Sequence, residues 1–227
     1  MKLKNITFFA IILISLFGCK SQRAVSQSQP IEKVYYVQIE TDYGNMLVKL
    51  YNETPLHRDN FLKLVGKGVY DGLLFHRVIN HFMIQGGDPD SKTAKPGQFL
   101  GEGTLDYRIP AEFVPGLFHK KGVLAAARDD NPEKASSACQ FYLVQGQVWD
   151  DENLKKLTER FNLTLTPEQI EVYKTLGGSP HLDGSYTVFG EVVEGVDVLD
   201  KIAAVPTDRS ARPKEDVRMK MSIVEVK

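Results

Sequence analysis

Apolar and polar residues alternate over Val34–Thr41 and again over Met46–Tyr51, with Asp42-Tyr43-Gly44-Asn45 between them. Period-two patterning around a break rich in turn formers predicts an antiparallel hairpin. Thr54-Pro55 then offers a helix N-cap and a first-turn proline. Helical apolar spacing follows, stopped by glycines, and predicts a helix over 55–66. Further strands are predicted over 73–79, 82–86, 122–128, 140–146, 187–193 and 217–226, and a short helix over 195–204. Strand alternation aims Phe75, Arg77 and Ile79 to one face.

Residues 148–179 break the rhythm, being polar, charged and helix-favouring. Two helices are predicted there, near 150–161 and 167–176. The second opens on a capping box, Thr166-Pro167-Glu168-Gln169, and stops at Gly177-Gly178. The segment reads as an insertion into a β-rich domain. Many short strands with two flanking helices predict a mainly-β fold whose sheet closes into a barrel, leaving no free edge.

The first residues change the picture of where the domain acts. Met1-Lys2-Leu3-Lys4 is basic and residues 6–17 are almost all apolar, ending in Leu16-Phe17-Gly18-Cys19. That is the layout of a secretory signal, and the run is short for a membrane span of ~20 residues. Its ending resembles a bacterial lipobox, which implies a signal peptide over 1–18, lipid attachment at Cys19 and anchoring to the cell envelope. Lys20, in place of the aspartate linked to inner-membrane retention, points to a periplasm-facing outer-membrane position. Residues 19–32 hold the lipid anchor and a Ser- and Gln-rich tether. With Cys19 lipidated, Cys139 has no intrachain partner for a disulfide. Losing Lys2 and Lys4 with the signal leaves 26 of the 28 basic residues against 29 acidic ones, a formal charge of −3. No basic block suggests nucleic acid.

The stretch from Phe75 to Asp90, "FHRVINHFMIQGGDPD", places Arg77 among apolar residues. A buried guanidinium is costly unless paired. His76 and His81 lack a third metal ligand at useful spacing, and "GGDPD" lacks a phosphate or calcium pattern, so no metal or cofactor is expected. The stretch resembles the signature of the cyclophilins, peptidyl-prolyl cis-trans isomerases. The resemblance continues through "GVLAAAR", "QFYLV" and "LDGSYTVFGEVVEGVDVLDKI", and covers the domain 33–227 apart from the insertion. It implies an eight-stranded antiparallel barrel. It also implies a proline site with Arg77, Phe82, Met83 and Gln85 as catalytic residues. Ala127, Arg128, Gln140, Tyr142, Leu182 and Tyr186 would bind substrate. The implied partners are proline-containing, unfolded or flexible polypeptides, bound by a monomer.

Three positions depart from the familiar eukaryotic members. His181 stands for a tryptophan, Tyr186 for a histidine and Tyr142 for a pocket phenylalanine. The missing tryptophan argues against tight cyclosporin binding. Trp149, at the start of the insertion, is expected to pack in core or surface and not in the site. An active isomerase assisting the folding of exported proteins is the expected function. The alternative is a chaperone module that grips proline segments through added surface on the insertion and isomerises incidentally.

Overall fold

The computed structural model describes residues 33–224. The signal peptide, the tether up to residue 32 and the Cys19 attachment point lie outside the described residues. β1 (Tyr35–Thr41) and β2 (Gly44–Leu50) form the expected hairpin, and α1 (Pro55–Gly66) follows. β3 (Phe75–Ile79), β4 (Met83–Gly86), β6 (Val123–Ala126), β8 (Phe141–Val144), β9 (Val188–Glu194) and β10 (Lys220–Val224) fall within the predicted strands or one residue of them. The two-residue strands β5 (Arg108–Ile109) and β7 (Ser136–Ser137) pair with each other and carry no pattern long enough to read. α2 (Asp151–Phe161) and α3 (Pro167–Thr175) make up the insertion, and α4 (Val196–Ala203) precedes the last strand.

Eight strands form one antiparallel sheet in the order β10-β1-β2-β9-β6-β8-β4-β3. The expectation of a closed barrel is corrected: the sheet is curled but open, with β3 and β10 as its edges. The two edges meet only where the chain leads into them. Gly72 N–H donates to Met219 O (2.8 Å), Met219 N–H to Leu73 O (2.9 Å) and Phe75 N–H to Val217 O (2.9 Å). Beyond these bonds the ladder between the edges is limited to a single bridge between Leu74 and Arg218.

The central strands carry two apolar faces. From β8, Phe141 and Leu143 enter the main core while Tyr142 and Val144 enter a second cluster on the other side. β6 divides in the same way, with Leu124 and Ala126 in the main core and Val123 and Ala125 opposite. Strands covered on both faces read as continuous apolar runs, which is how "VLAA" and "FYLV" stand in the chain. In the main core, Phe61 of α1 packs 5.1 Å from Tyr70 and 5.7 Å from Phe141 by ring centroids. α4 adds Leu199 and Ile202. Burying each such side chain contributes roughly 1.5–3 kcal/mol.

α1 begins where predicted but is not capped as predicted. Thr54 makes no side-chain cap, and its buried hydroxyl has no partner. The Glu112 carboxylate takes that place, accepting from Leu56 N–H (3.0 Å) and His57 N–H (2.9 Å) and contacting His57 Nδ1 at 2.7 Å. A negative group at a helix N-terminus also suits the helix dipole.

The insertion helices are capped locally. Asp150 accepts from Asn153 N–H (2.7 Å), and Thr166 and Gln169 form the predicted capping box. The insertion leaves and rejoins the domain where Gly146 and Gly178 touch. A Cβ on Gly146 would lie 2.3 Å from Gly178 Cα, and one on Gly178 would lie 2.2 Å from His119 O. Trp149 packs at this base, with its indole N–H donating to Gly178 O at 3.0 Å.

Two substitutions separate the observed cap from the predicted one. Glu112→Ala is expected to cost about 2–4 kcal/mol in urea unfolding, because it removes a two-donor cap and the partner of a buried histidine. Thr54→Val is expected to be neutral or slightly stabilising, because it deletes an unpaired buried hydroxyl. A loss above ~1 kcal/mol for Thr54→Val would restore Thr54 as the cap.

Candidate active site

β3 and β4 pair Phe75 with Gly86, then Arg77 with Gln85 and Ile79 with Met83. Two steps along β3 match one along β4, so His76 is an extra residue. The expectation that Phe75, Arg77 and Ile79 share a face is thereby corrected. Phe75 is wholly buried in the main core with Val78, while Ile79 packs in the second cluster. Arg77, half-buried, reaches Gln85 and Met83 beside that cluster.

Arg77 is held by a directional chain. Its Nη1 donates to Gln85 Oε1 (3.3 Å) and lies 3.9 Å from Met83 Sδ. Gln85 Nε2 donates to Gln140 Oε1 (3.0 Å), and Gln140 Nε2 donates to the carbonyls of Gly101 and Gly103 (2.8 Å each). Those carbonyls only accept, so Gln140 must present its NH2 to them and its oxygen to Gln85. Gln85 must then present its oxygen to Arg77, which only donates. Both amides are thus oriented from the loop inward. Burial pulls the Arg77 pKa down from its ordinary value, opposed by Tyr186, and the guanidinium stays charged at neutral pH.

Nine of the ten expected site residues line one cavity of about 140 Å³: Arg77, Phe82, Met83, Gln85, Ala127, Arg128, Tyr142, Leu182 and Tyr186. It is small beside the ~300–1,000 Å³ of pockets for drug-sized ligands and suits a single small ring. Gln140 stands behind Gln85 and lines a neighbouring hollow of about 780 Å³ that shares Gln85, Ala127 and Arg128 with the cavity. Ala127 N–H donates to Gln140 O and its carbonyl accepts from Ser137 N–H. That leaves the carbonyl's second lone pair for an outside donor. Arg128 braces the wall: its Nε donates to Ser185 O (2.9 Å) and its guanidinium lies 4.7 Å from the Tyr186 ring centroid. Tyr186 in turn stands edge-on to Tyr142 at 5.9 Å. Among the described residues, no group of three or more His, Cys, Asp or Glu side chains is placed to hold a metal ion.

A family model for the cyclophilin type peptidyl-prolyl cis-trans isomerases matches residues 36–224. The chain belongs to this family. It is 35% identical over 183 residues to a Staphylococcus aureus protein named for peptidyl-prolyl cis-trans isomerase activity, covering 80% of this chain and 87% of that one. It is 40% identical over 186 residues to a Streptococcus pyogenes protein named as a bifunctional phosphatase/peptidyl-prolyl cis-trans isomerase. There the match covers 80% of this chain but 37% of the relative's length. Among solved structures, a Cryptosporidium parvum cyclophilin superposes with a TM-score of 0.63 at 25% identity, covering 86% of this chain and 100% of that one. The same Cryptosporidium protein has been solved in the presence of the dipeptide Ala-Pro.

As a cyclophilin, the chain carries a polar relay behind its pocket. The Tyr142 hydroxyl is buried and lies 2.9 Å from His119 Nε2. His119 Nδ1 lies 2.8 Å from Asp183 Oδ1, and the other carboxylate oxygen accepts from the Tyr173 hydroxyl at 2.7 Å. A carboxylate at Nδ1 puts a ring proton there and leaves Nε2 to accept the Tyr142 O–H. Tyr173 belongs to α3, so the insertion is wired to the pocket wall. These partners escaped the sequence reading, because Tyr142 announces a hydroxyl but not which distant residues receive it.

His76, the bulge residue, is buried, and its pKa is lowered to about 4. Burial is the main cause, opposed by Asp88 and assisted by Arg77. Between pH 6.5 and about 4 the unfolded chain binds a proton that the folded chain does not, so stability falls as pH falls through this window. Burial lowers His57 and His181 as well, and both steepen the same slope.

Comparing wild type with His76→Gln isolates the His76 share. In urea unfolding at pH 7.5 and pH 4.5, the variant is expected to lose less stability, by up to ~3 kcal/mol. Equal losses would contradict the assignment. For the tyrosine relay, His119→Ala is expected to cost about 2–3 kcal/mol by stranding buried polar groups. Adding Tyr142→Phe should then recover part of that loss, and a purely additive double variant would rule out the coupling.

Proposed function

We propose that the protein catalyses cis–trans rotation about X-Pro bonds in flexible polypeptides. One observation carries the reading: a half-desolvated, orientation-locked guanidinium, Arg77, on the rim of a ring-sized apolar cavity. The obstacle to rotation is the partial double bond of the amide, a barrier of ~18–20 kcal/mol. As the bond twists, resonance is lost, and the prolyl nitrogen turns pyramidal and basic. A donor aimed at that nitrogen binds the twisted state better than either planar one, which is the condition for catalysis. No covalent bond is made or broken, so positioned side chains suffice.

In this reading the proline ring sits among Phe82, Met83, Tyr142, Leu182 and Tyr186. Gln85 aims Arg77 and holds substrate backbone. Ala127, Arg128 and Gln140 border the flanking main chain, along the wall shared with the larger hollow. Burial of Arg77 strengthens its hydrogen bonding, since electrostatic interactions gain where water is excluded.

We further propose that its clients are exported polypeptides. The reading rests on the leader pattern and on Cys19 as the lipid attachment point. Radiolabelled fatty acid should enter the wild-type protein, and Cys19→Ser should abolish labelling and release the protein from the membrane fraction. Persistent labelling of the variant would remove the anchor.

Arg77→Ala is expected to lower kcat/KM for a short X-Pro peptide by about 100-fold or more, ~2.7 kcal/mol, with an unchanged circular dichroism spectrum. Arg77→Lys should restore only a minor part, because a point charge does not reproduce the planar fork. An Arg77→Ala protein of full activity would exclude the mechanism.

A further inference from the structure

The last residue of α2, Phe161, is 45% exposed, at a point where a helix end could have carried a polar side chain. A lone exposed phenylalanine needs no explanation, but this one is not alone. Its ring centroid lies 5.7 Å from the His181 ring, and His181 lies 5.4 Å from the ring of Phe82, which lines the proline cavity. Three rings therefore run in sequence from the cavity out onto the insertion.

The row is held firmly. α2 packs against the short 3-10 turn Pro180–Leu182 that carries His181, and Leu154 anchors it in the interior. Asn162 adopts a left-handed conformation, φ 51°, which ends the helix directly after Phe161. The Arg160 guanidinium lies 5.4 Å from the Phe161 ring centroid and braces it. Burial, with the nearby His119, lowers the His181 pKa below its ordinary value, so the ring is neutral at pH 7 and offers an uncharged aromatic face. The row and the large hollow share no lining residue.

We propose that His181 and Phe161 form a second substrate subsite, a shelf that takes an aromatic or large apolar side chain a few residues from the proline on the same polypeptide. The inference rests on the cavity being the proline site. Its spacing follows from the rings. Each step of 5.4 or 5.7 Å matches fewer than two extended residues at ~3.3–3.6 Å each, which places the side chain at the second or third residue from the proline. Its chemistry follows from the faces offered, since aromatic pairs add to the area they bury when centroids stand 4.5–7 Å apart. The shelf gives the insertion a direct part in choosing substrate.

The test compares isomerisation of an alanine-flanked Ala-Pro peptide with peptides carrying one phenylalanine at the second or third residue on either side of the proline. Wild type is expected to favour phenylalanine at one of these positions by about 5–10-fold in kcat/KM. Phe161→Ala is expected to bring that ratio close to one, and Phe161→Leu to keep part of it. A ratio unchanged in Phe161→Ala, or no preference in wild type, would overturn the shelf. A wild-type protein inactive on every peptide, and indistinguishable from Arg77→Ala, would instead overturn the isomerase reading and the shelf with it.

Discussion

One additional residue at His76 decides what this sheet can do. Without it, Arg77 would share the face of Phe75, which is wholly buried in the main core. Uncompensated burial of a guanidinium there would cost several kcal/mol. With it, the aromatic residue stays in the core and the cation emerges on the opposite face, still tied to Gln85 across the ladder. On the other side of β3, pairing toward β10 is limited to the Leu74–Arg218 bridge, and the sheet remains open. The position of the site therefore follows from one local irregularity.

Much of this was legible in the chain, and the parts that were not share a physical cause. The strands β6 and β8 declared themselves by apolar runs, and the insertion by its polar composition and the Thr166–Gln169 box. Motif order picked out nine residues that prove to line one cavity. What failed were rules that look only at neighbours. Alternation cannot register an extra residue, so Phe75 was assigned to the wrong face. Thr54 looked like a cap because capping residues normally precede the helix, while the group that caps α1 is Glu112, more than fifty positions downstream. The relay behind Tyr142 is likewise assembled from distant segments, at His119, Asp183 and Tyr173.

The two polar systems around the cavity differ in kind. The glutamine chain from Gly101 and Gly103 to Arg77 is made of uncharged amides with a single polarity, so it orients a cation without neutralising it. A carboxylate in the place of Gln85 would bind Arg77 more strongly and compete with substrate for it. The relay behind Tyr142 contains the charge that the first chain avoids, with Asp183 held between a histidine and a tyrosine. Charge is thus tolerated behind the aromatic wall and kept away from the donor, as expected where the transition state and not the ground state is to be stabilised.

The contact between Gly146 and Gly178 has a consequence for how such a chain can change over time. A segment whose two ends touch can lengthen or shrink between them at little cost, since each doubling of its length adds only ~0.6 kcal/mol of closure entropy. The barrel-like sheet and its arginine are bound to one solution by packing. Apart from Tyr173, which reaches the relay behind the pocket, the helices mounted at that glycine pair are free to vary, and a lineage could retune which polypeptides it serves there while leaving Arg77 untouched.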